Sequence, residues 1–356
     1  MQGLWARAVA ALALGAAAAG ATAAPIVIAH RGASGERPEH TLAAYELAID
    51  QGADFIEPDL VFTKDGVLVA RHENEISDTT DVANRPEFAT RKTSRTIDGQ
   101  TLTGWFTEDF TLVELKTLRA RERLPQLRST AYDGRFEVPT LKEIIALVKR
   151  KERETGRRIG LYPETKHPSY FASIGHPFDR PLVVALHEAG YRKKSDPVFI
   201  QSFEIDNLRR LNELTELRLV QLIGDLRSGP ADRSGIGYAV MITPGGLKAI
   251  AAYADGIGPE KSAVIPRDAD GRLTAPTRLV ADAHEASLTV HPYTFRAENY
   301  FLPADFRRGA DPRAKGDLAG EICAFIAAGV DGLFSDFPGA AIAARNGCAA
   351  PQPVRR

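Results

Sequence analysis

The sequence predicts an α/β fold, a TIM (β/α)8 barrel with a small insertion after the second strand, from three features of its 356 residues. Short β-branched runs alternate with longer runs whose apolar residues recur at helical spacing. Eight such strands follow one another, each separated by helical sequence, which is typical of a parallel sheet. The glycine-rich nucleotide turn that usually follows the first strand of a doubly wound sheet is missing, so a closed barrel is favoured.

The elements follow in order from these patterns. Ile26–Ala29 is an apolar β-branched run and predicts the first strand, whereas Thr41–Gln51 carries apolar residues at helical spacing. The turn Lys64-Asp65-Gly66 predicts a hairpin from the second strand into Val67–Arg71. The same criteria predict the remaining strands at Asp54–Leu60, Arg158–Tyr162, Val198–Gln201, Leu217–Leu222, Asp255–Ile257, Leu288–Val290 and Gly332–Phe334. They predict the remaining helices at Leu141–Glu154, Pro181–Ala189, Ile205–Leu214, Gly246–Tyr253, Pro276–Ala286 and Leu318–Ala328.

One long segment interrupts this alternation. Residues 74–139 are rich in Thr, Arg and Asp and contain the breakers Asp98-Gly99 and Pro125. A stretch of this length inside a compact domain is too long for a simple connection. We therefore predict a small appended subdomain on the second βα connection of a barrel that spans residues 24–346, followed by a flexible tail at 347–356.

Composition excludes several classes of protein. The chain is 44% hydrophobic and 26% charged, which is ordinary for a globular protein. Lys and Arg total 45 and Asp and Glu total 46, for a formal charge of -1. This balance gives no overall attraction to nucleic acid or to anionic lipid, so recognition of an anion has to be local. We predict no nucleic-acid partner and no stable membrane insertion, and the oligomeric state stays open.

The first 23 residues have the pattern of a cleavable secretory signal. Arg7 precedes the apolar run Ala8–Ala19, and Ala21-Thr22-Ala23 provides small residues for cleavage. The run is shorter than the roughly 20 apolar residues that span a bilayer. Export predicts an oxidising compartment. In such a compartment Cys323 and Cys348 have two possible states, a disulfide with each other or two free thiols, and the sequence does not choose between them.

Polar residues collect where the predicted strands end. In a (β/α)8 barrel the carboxyl ends of the strands form the active-site face. Glu57 and Asp59 are two apart on one strand and so point to the same side, and Glu164 is expected two strand positions further round the barrel. Three carboxylates without a Cys ligand favour a hard divalent cation, and Ca²⁺ is more available than Mg²⁺ outside the cytoplasm. The alternative is a cluster of carboxylates paired with Arg31 and Lys166.

Two histidines complete a set of groups suited to cleaving a phosphodiester. His30 and His72 have the residue type that exchanges protons near neutral pH. Arg31 and Lys166 are candidates to hold an anionic group, because Arg binds two phosphate oxygens at once. A divalent cation, cationic side chains and an acid–base pair are the requirements of metal-assisted phosphodiester hydrolysis.

These residues lie in motifs that resemble the glycerophosphodiester phosphodiesterase family, most closely its periplasmic bacterial members. The motifs, which extend over about residues 26–345, are His30-Arg31-Gly32-Ala33-Ser34-Gly35, Pro38-Glu39-His40-Thr41, Glu57-x-Asp59, His72, Tyr162-Pro163-Glu164-Thr165-Lys166, Gln201-Ser202-Phe203, Tyr253-Ala254-Asp255-Gly256-Ile257-Gly258-Pro259, His291-Pro292-Tyr293-Thr294 and Asp331-Gly332-Leu333-Phe334-Ser335-Asp336-Phe337-Pro338. Two positions depart from the family pattern. Glu73 stands where an aspartate is usual, and Pro58 occupies the middle of the Glu-x-Asp pair.

The resemblance implies hydrolysis of glycerophosphodiesters to sn-glycerol 3-phosphate and an alcohol, with one bound Ca²⁺ or Mg²⁺. It implies His30 as the base and His72 as the acid, although the opposite assignment stays open, and a cyclic phosphate formed by the glycerol 2-hydroxyl. Gln201, His291 and Tyr293 are predicted to contact the substrate. The alternatives are a related phosphodiesterase acting on lysophospholipid, phosphoinositide or teichoic acid, a noncatalytic binding protein on the same barrel, and a metal-dependent isomerase or endonuclease.

Overall fold

The computed structural model describes residues 24–233 and 235–348. The predicted signal at residues 1–23 and most of the predicted tail lie outside these residues. Within them, no helix has the length and apolar character needed to cross a membrane.

Thirteen strands are present in the part of the chain that the structure describes. They are Ile26–His30 (β1), Phe55–Glu57 (β2), Asp59–Phe62 (β3), Leu68–Ala70 (β4), Thr93–Ile97 (β5), Gln100–Gly104 (β6), Gly160–Leu161 (β7), Glu164–Thr165 (β8), Phe199–Ser202 (β9), Arg218–Ile223 (β10), Gly256–Pro259 (β11), Thr289–Val290 (β12) and Gly332–Ser335 (β13).

Twelve α-helices lie between and after these strands, again within residues 24–233 and 235–348. They are Leu42–Asp50 (α1), Leu112–Leu115 (α2), Leu141–Thr155 (α3), Pro168–Ser173 (α4), Asp179–Glu188 (α5), Ile205–Leu214 (α6), Tyr238–Met241 (α7), Pro244–Ile250 (α8), Lys261–Val264 (α9), Leu279–Glu285 (α10), Leu318–Ala327 (α11) and Pro338–Gly347 (α12). The short helices α2, α4, α7 and α9 and the last helix α12 were not predicted from the sequence pattern.

The parallel strands close into the predicted barrel. Pairing runs β13-β1-β2-β7 on one side and β12-β11-β10-β9-β8-β3 on the other, with β4 antiparallel to β3. The predicted second strand is not continuous, because Pro58 separates β2 from β3; Pro163 likewise lies between β7 and β8. Each pair of halves forms one barrel strand, since β2 pairs with β7 and β3 pairs with β8. The seam between β12 and β13 closes where the Asp331 amide donates to the Val290 carbonyl at 3.0 Å.

Aromatic and branched side chains fill the barrel. Inside it pack Ile28, Phe55, Tyr162, Phe199, Val220 and Phe334, all buried. Outside it the helices cover the strands; α3, for example, buries Ile144 and Val148 on one face. Thr140 and Glu143 begin this helix with reciprocal side-chain to backbone hydrogen bonds, and Gly156 ends it with a φ of 65° that suits glycine. The core therefore holds the carboxyl ends of the strands as a rigid rim.

The predicted insertion, residues 74–139, contains the β5–β6 hairpin, the short helix α2 and several 3₁₀ turns. Its apolar residues Phe88, Trp105 and Phe110 are buried and belong to the same hydrophobic core as the barrel helices. The indole N–H of Trp105 donates to the Phe88 carbonyl at 2.7 Å. The segment is thus packed on the barrel as part of one core.

The two cysteines form a disulfide, which resolves the alternative that the sequence left open. Cys323 lies on α11 and Cys348 immediately follows α12, and their sulfurs are bonded. The bridge fixes the end of the last helix to the outer layer of the barrel.

Candidate active site

The carboxyl ends of the strands surround a cavity of about 500 Å³. This volume is within the range of small-molecule sites. Eight residues predicted from the sequence to form the site line this cavity: His30, Arg31, Glu57, His72, Glu164, Lys166, Gln201 and Tyr293. The structure therefore brings together side chains from β1, β2, β8, β9 and the segments after β4 and β12.

The three predicted metal ligands lie close together beside this cavity, and Glu57 and Glu164 line it. Glu57, Asp59 and Glu164 are all buried, and one carboxylate oxygen of each lies within 4.8 Å of the other two. Glu57 ends β2 and Asp59 begins β3, on either side of Pro58. The break at Pro58 does not separate the two carboxylates, which lie close together. Asp59 pairs with Glu164 in the parallel register of β3 and β8.

Burial and mutual repulsion disfavour the negative charges of two of these carboxylates, Glu57 and Glu164. Burial, together with the neighbouring charges of Asp59 and Glu164, raises the pKa of Glu57 well above its ordinary value. Burial also raises the pKa of Glu164 to about 8. Asp59 behaves in the opposite way: burial works against its charge, but Lys166 and His40 hold its pKa well below the usual range.

A divalent cation fits these residues. Asp59 Oδ1 is buried and has no hydrogen-bond partner in the described part of the chain, and Lys166 Nζ approaches it only to 3.9 Å. A buried carboxylate oxygen of this kind is costly unless it is paired or coordinates a metal. Carboxylate oxygens are also the ligands that Ca²⁺ and Mg²⁺ prefer.

Gln201 contributes to the acidic cluster from β9. Its amide nitrogen donates to Glu57 Oε1 at 2.9 Å, while its own Oε1 has no hydrogen-bond partner among the described residues. Gln201 therefore orients a predicted metal ligand as well as lining the cavity where substrate contact was predicted.

His30 lies at the end of β1 and is oriented by a carboxylate. Its Nδ1 is 2.6 Å from Asp336 Oδ1, and Asp336 directly follows β13. Burial and the positive charge of Arg31 lower the pKa of His30 to about 4, against the opposing effect of Asp336. The ring is consequently neutral at pH 7 and able to accept a proton.

His72, which lies shortly after β4, has a similar arrangement. Its Nδ1 contacts the carboxylate of Glu73. Burial, Arg31 and Lys166 lower the pKa of His72 to about 3. Both histidines thus present one ring nitrogen to a carboxylate, and both line the same cavity.

Arg31 and Lys166 provide the positive charge beside the two histidines. Arg31 has a φ of 59°, a conformation that non-glycine residues adopt mainly where function or packing requires it. In this conformation its amide N–H donates to Glu57 Oε2 at 2.8 Å, and its guanidinium donates to Glu39 at 2.9 Å. Lys166 Nζ is 2.6 Å from Glu164 Oε1.

His291 does not share this position. It is 2% exposed and lies inside the barrel, where its Nδ1 is 2.8 Å from the Tyr162 hydroxyl. A Cβ at Gly332 would approach its ring to 2.9 Å, so the glycine makes room for it. His291 is not among the residues that line the cavity in the described structure, and the geometry assigns it to the core. Tyr293, two residues later, does line the cavity, and its hydroxyl donates to the Ile223 carbonyl at 2.9 Å.

Several residues that hold the site together were not predicted as site residues from the sequence. They are Glu39, His40, Glu73, Arg123, Arg128, Arg296 and Asp336. A usable signal existed for Asp336, since it follows a strand like the other site residues. No signal existed for the arginines, because their partners are distant in the sequence.

Fold and site together define an enzyme: a (β/α)8 barrel whose carboxyl mouth holds an acidic cluster, two basic side chains and two carboxylate-oriented histidines. Comparison with known proteins assigns this enzyme to one family. The sequence model of the glycerophosphoryl diester phosphodiesterase family matches residues 30–340. The chain belongs to this family.

Individual relatives agree with this assignment. A glycerophosphodiester phosphodiesterase of Arabidopsis thaliana is 40% identical over 330 residues, which cover 89% of this chain and 85% of the relative. One from Haemophilus influenzae is 32% identical over 340 residues, covering 88% of this chain and 87% of the relative.

Solved structures show the same fold. A glycerophosphodiester phosphodiesterase from Agrobacterium tumefaciens has a TM-score of 0.57 at 19% identity, covering 90% of this chain and 99% of that one. A phosphodiesterase of Oleispira antarctica, solved in complex with the product sn-glycerol-3-phosphate, has a TM-score of 0.57 at 21% identity, covering 90% and 97% of the two chains.

Proposed function

We propose that the protein hydrolyses glycerophosphodiesters to sn-glycerol 3-phosphate and an alcohol, with a divalent cation and two histidines. The observation that carries this proposal is the shared cavity: His30, His72, Arg31 and Lys166 line it together with Glu57 and Glu164 of the acidic cluster. An anionic phosphodiester fits beside the two basic side chains. The relatives named above carry the same activity in their names.

The two histidines exchange protons with the substrate. Neutral His30 accepts the proton of the glycerol 2-hydroxyl, whose oxygen attacks phosphorus while His72 protonates the departing alcohol oxygen. The charge of the bound phosphodiester offsets Arg31 and Lys166, which lower the pKa of His72, so substrate binding favours the protonated acid. Water then opens the resulting cyclic phosphate, and the same two rings return the protons in the reverse direction.

Glu57, Asp59 and Glu164 would hold the cation, for which we propose Ca²⁺ ahead of Mg²⁺. When bound there, a divalent cation polarises the phosphoryl oxygen and neutralises charge on the phosphate. Around it, Gln201 and the Arg31 amide fix the two oxygens of Glu57 by hydrogen bonds of 2.9 and 2.8 Å.

The decisive experiment measures sn-glycerol 3-phosphate release from glycerophosphocholine by the purified protein. We expect activity that a chelator removes and that added Ca²⁺ restores, with Mg²⁺ compared at the same concentration. Release that is unaffected by exhaustive chelation contradicts the metal assignment. An absence of release from any glycerophosphodiester contradicts the proposed function itself.

The cyclic intermediate has a separate test, because it needs a hydroxyl next to the ester. A substrate analogue that lacks the glycerol 2-hydroxyl is expected to bind but not to be cleaved. Turnover of this analogue at the rate of the parent compound contradicts attack by the 2-hydroxyl and leaves direct attack by water.

We further propose that residues 1–23 are a cleaved export signal and that the mature protein works in the periplasm. The Cys323–Cys348 disulfide supports an oxidising compartment. Cell fractionation with N-terminal sequencing is expected to find the protein outside the cytoplasm, beginning at residue 24. A cytoplasmic protein with an intact N-terminus contradicts this proposal.

A further inference from the structure

We propose that Arg123 and Arg128 of the insertion are positioning residues that hold the two catalytic histidines in place through their carboxylate partners. This inference rests on the proposed acid–base function of His30 and His72. It gives residues 74–139 a part in the reaction, although neither arginine lines the cavity of the described structure.

The first connection runs from Arg123 to His72. One carboxylate oxygen of Glu73 contacts His72 Nδ1, and the other, Oε2, accepts a hydrogen bond from Arg123 Nη2 at 2.6 Å. Arg123 also donates to both oxygens of Glu39, at 2.6 and 2.8 Å. The guanidinium is therefore fixed at a second point, on the loop that follows β1.

The second connection runs from Arg128 to His30. Asp336 Oδ1 is 2.6 Å from His30 Nδ1, and Asp336 Oδ2 accepts from Arg128 Nη2 at 2.6 Å. Arg128 also donates to Glu298 at 2.6 Å and to the Ser34 carbonyl at 3.1 Å. Its side chain is 7% exposed, so these ion pairs are shielded from water.

The two connections have the same arrangement of histidine, carboxylate and arginine. Each histidine has its Nδ1 against a carboxylate, and that carboxylate is held by an arginine from the insertion. Such a carboxylate fixes the orientation and tautomer of the ring, leaving Nε2 for proton transfer. An arginine that binds the second oxygen of the carboxylate prevents it from rotating. Among the described residues, Asp336 differs from Glu73 in having a further arginine, since Arg296 Nε is 2.8 Å from the same Oδ2.

The side chain of Glu73 connects the insertion to one member of the proposed acid–base pair, His72. In this chain the glutamate spans from His72 to Arg123, with one oxygen on each. Glu73→Asp shortens that span by one methylene, and we expect it to lower the activity even though the charge is kept.

The experiment measures kcat and KM for release of sn-glycerol 3-phosphate by Arg123→Met and Arg128→Met. Because small misplacement of a reacting group costs up to about 100-fold in rate, we expect Arg123→Met to lower kcat by about 10- to 100-fold with a smaller change in KM. Arg128→Met is expected to have a smaller effect, since Arg296 still holds Asp336. The matched control is Arg91→Met, which breaks the insertion's ion pair with Glu114 and contacts neither carboxylate partner.

Pairwise substitutions distinguish positioning from a general loss of structure. Combined with Glu73→Gln, Arg123→Met is expected to add little further loss, whereas combined with Asp336→Asn its effect on kcat multiplies. In ¹⁵N NMR spectra of the imidazoles, Arg123→Met is expected to shift His72 Nδ1 and leave His30 Nδ1 unchanged, and Arg128→Met to do the reverse. Arg128→Lys, which keeps a charge, is the second variant if Arg128→Met does not fold.

Two outcomes overturn the inference. One is a folded Arg123→Met protein with the kcat of the parent, and the other is an equal loss of kcat in Arg91→Met. If His30→Ala and His72→Ala also keep full activity, the proposed acid–base function fails with it. If those two variants lose activity while the arginine variants do not, only the positioning role is wrong.

Discussion

His40 Nε2 lies 2.9 Å from Asp59 Oδ2, and both side chains are completely buried. Burial lowers the pKa of His40, so the ring is neutral at pH 7. A neutral ring that donates from Nε2 to Asp59 accepts at Nδ1, where the Tyr45 hydroxyl is 2.7 Å away. His40 therefore fixes one oxygen of Asp59 and leaves Oδ1, which has no hydrogen-bond partner among the described residues, available to the proposed cation.

From this contact we predict that His40→Ala weakens metal binding. Partners that orient metal ligands are typically worth about 10- to 100-fold in metal affinity, and we expect a loss of that size for Ca²⁺. Isothermal titration of the metal-free protein with CaCl₂ measures it. His187→Ala is the control, because His187 bonds to Thr215 on the outside of the barrel. Equal Ca²⁺ affinity in His40→Ala and the parent protein contradicts the role given to His40.

Loss of His30 or His72, the proposed catalytic histidines, is predicted to lower kcat by about 10²- to 10⁴-fold, the usual contribution of a general acid or base. The two roles separate with a glycerophosphodiester of p-nitrophenol, an alcohol that leaves without protonation. His72→Ala is expected to recover much of its activity on this substrate, whereas His30→Ala stays inactive. Recovery by His30→Ala instead reverses the assignment of base and acid. His176→Ala, which removes a ring stacked on Phe62, serves as the control.

The disulfide is predicted to stabilise the fold without affecting the chemistry. Cys323 and Cys348 are separated by 25 residues, and closing a loop of this size lowers the conformational entropy of the unfolded chain, which stabilises the fold by about 3.5 kcal/mol. Cys323→Ser/Cys348→Ser is expected to lose a free energy of unfolding of that order in urea, while kcat at 25 °C stays at the parent value. A double variant as stable as the oxidised parent shows that the bridge carries no stability.

Glu204 is predicted to make stability depend on pH. Burial raises its pKa to about 7, and the amide and hydroxyl of Ser169 donate to its carboxylate. The folded state holds this proton up to about pH 7, whereas the unfolded chain releases it near pH 4.3. The contribution of Glu204 to the free energy of unfolding is therefore largest below about pH 4.3. It decreases as the pH rises from there and is lost once the pH has passed about 7.

Glu204→Gln removes this titration. We expect its unfolding free energy, compared with that of the parent, to rise between pH 5 and pH 8 by up to about 3 kcal/mol, following the shift in pKa. Urea denaturation at a series of pH values measures the difference. Glu188→Gln, an exposed position at the end of α5, is the control. Parallel curves for Glu204→Gln and the parent protein contradict the burial argument.

The predicted order of strands and helices is confirmed because it follows from local patterns. Alternation of β-branched and amphipathic runs depends on side chains close in the sequence, and Ile205–Leu214 is found with the predicted bounds. The site on the carboxyl rim follows from the same reasoning. Glu57 and Asp59 share a face since they are two apart, and parallel pairing with β8 brings Glu164 beside them.

Local patterns did not predict how deep in the barrel each inward-facing side chain lies. His291 follows the two-residue strand β12, and its ring faces the barrel interior against Tyr162, while Tyr293 lines the cavity. The sequence pattern predicted substrate contact for both residues, because periodicity defines the side of the strand that a residue faces and not its depth along the barrel.

The sequence by itself determined the barrel, the residue types of the acidic cluster and the two histidines, because motif spacing and strand alternation are local properties of the chain. The tertiary structure alone decided which charged groups meet. Arg123 and Glu73, and Arg128 and Asp336, are 50 and 208 residues apart in the chain, yet each pair is joined at 2.6 Å. Such pairs form because the closed fold buries them together, where an unpaired charge is costly.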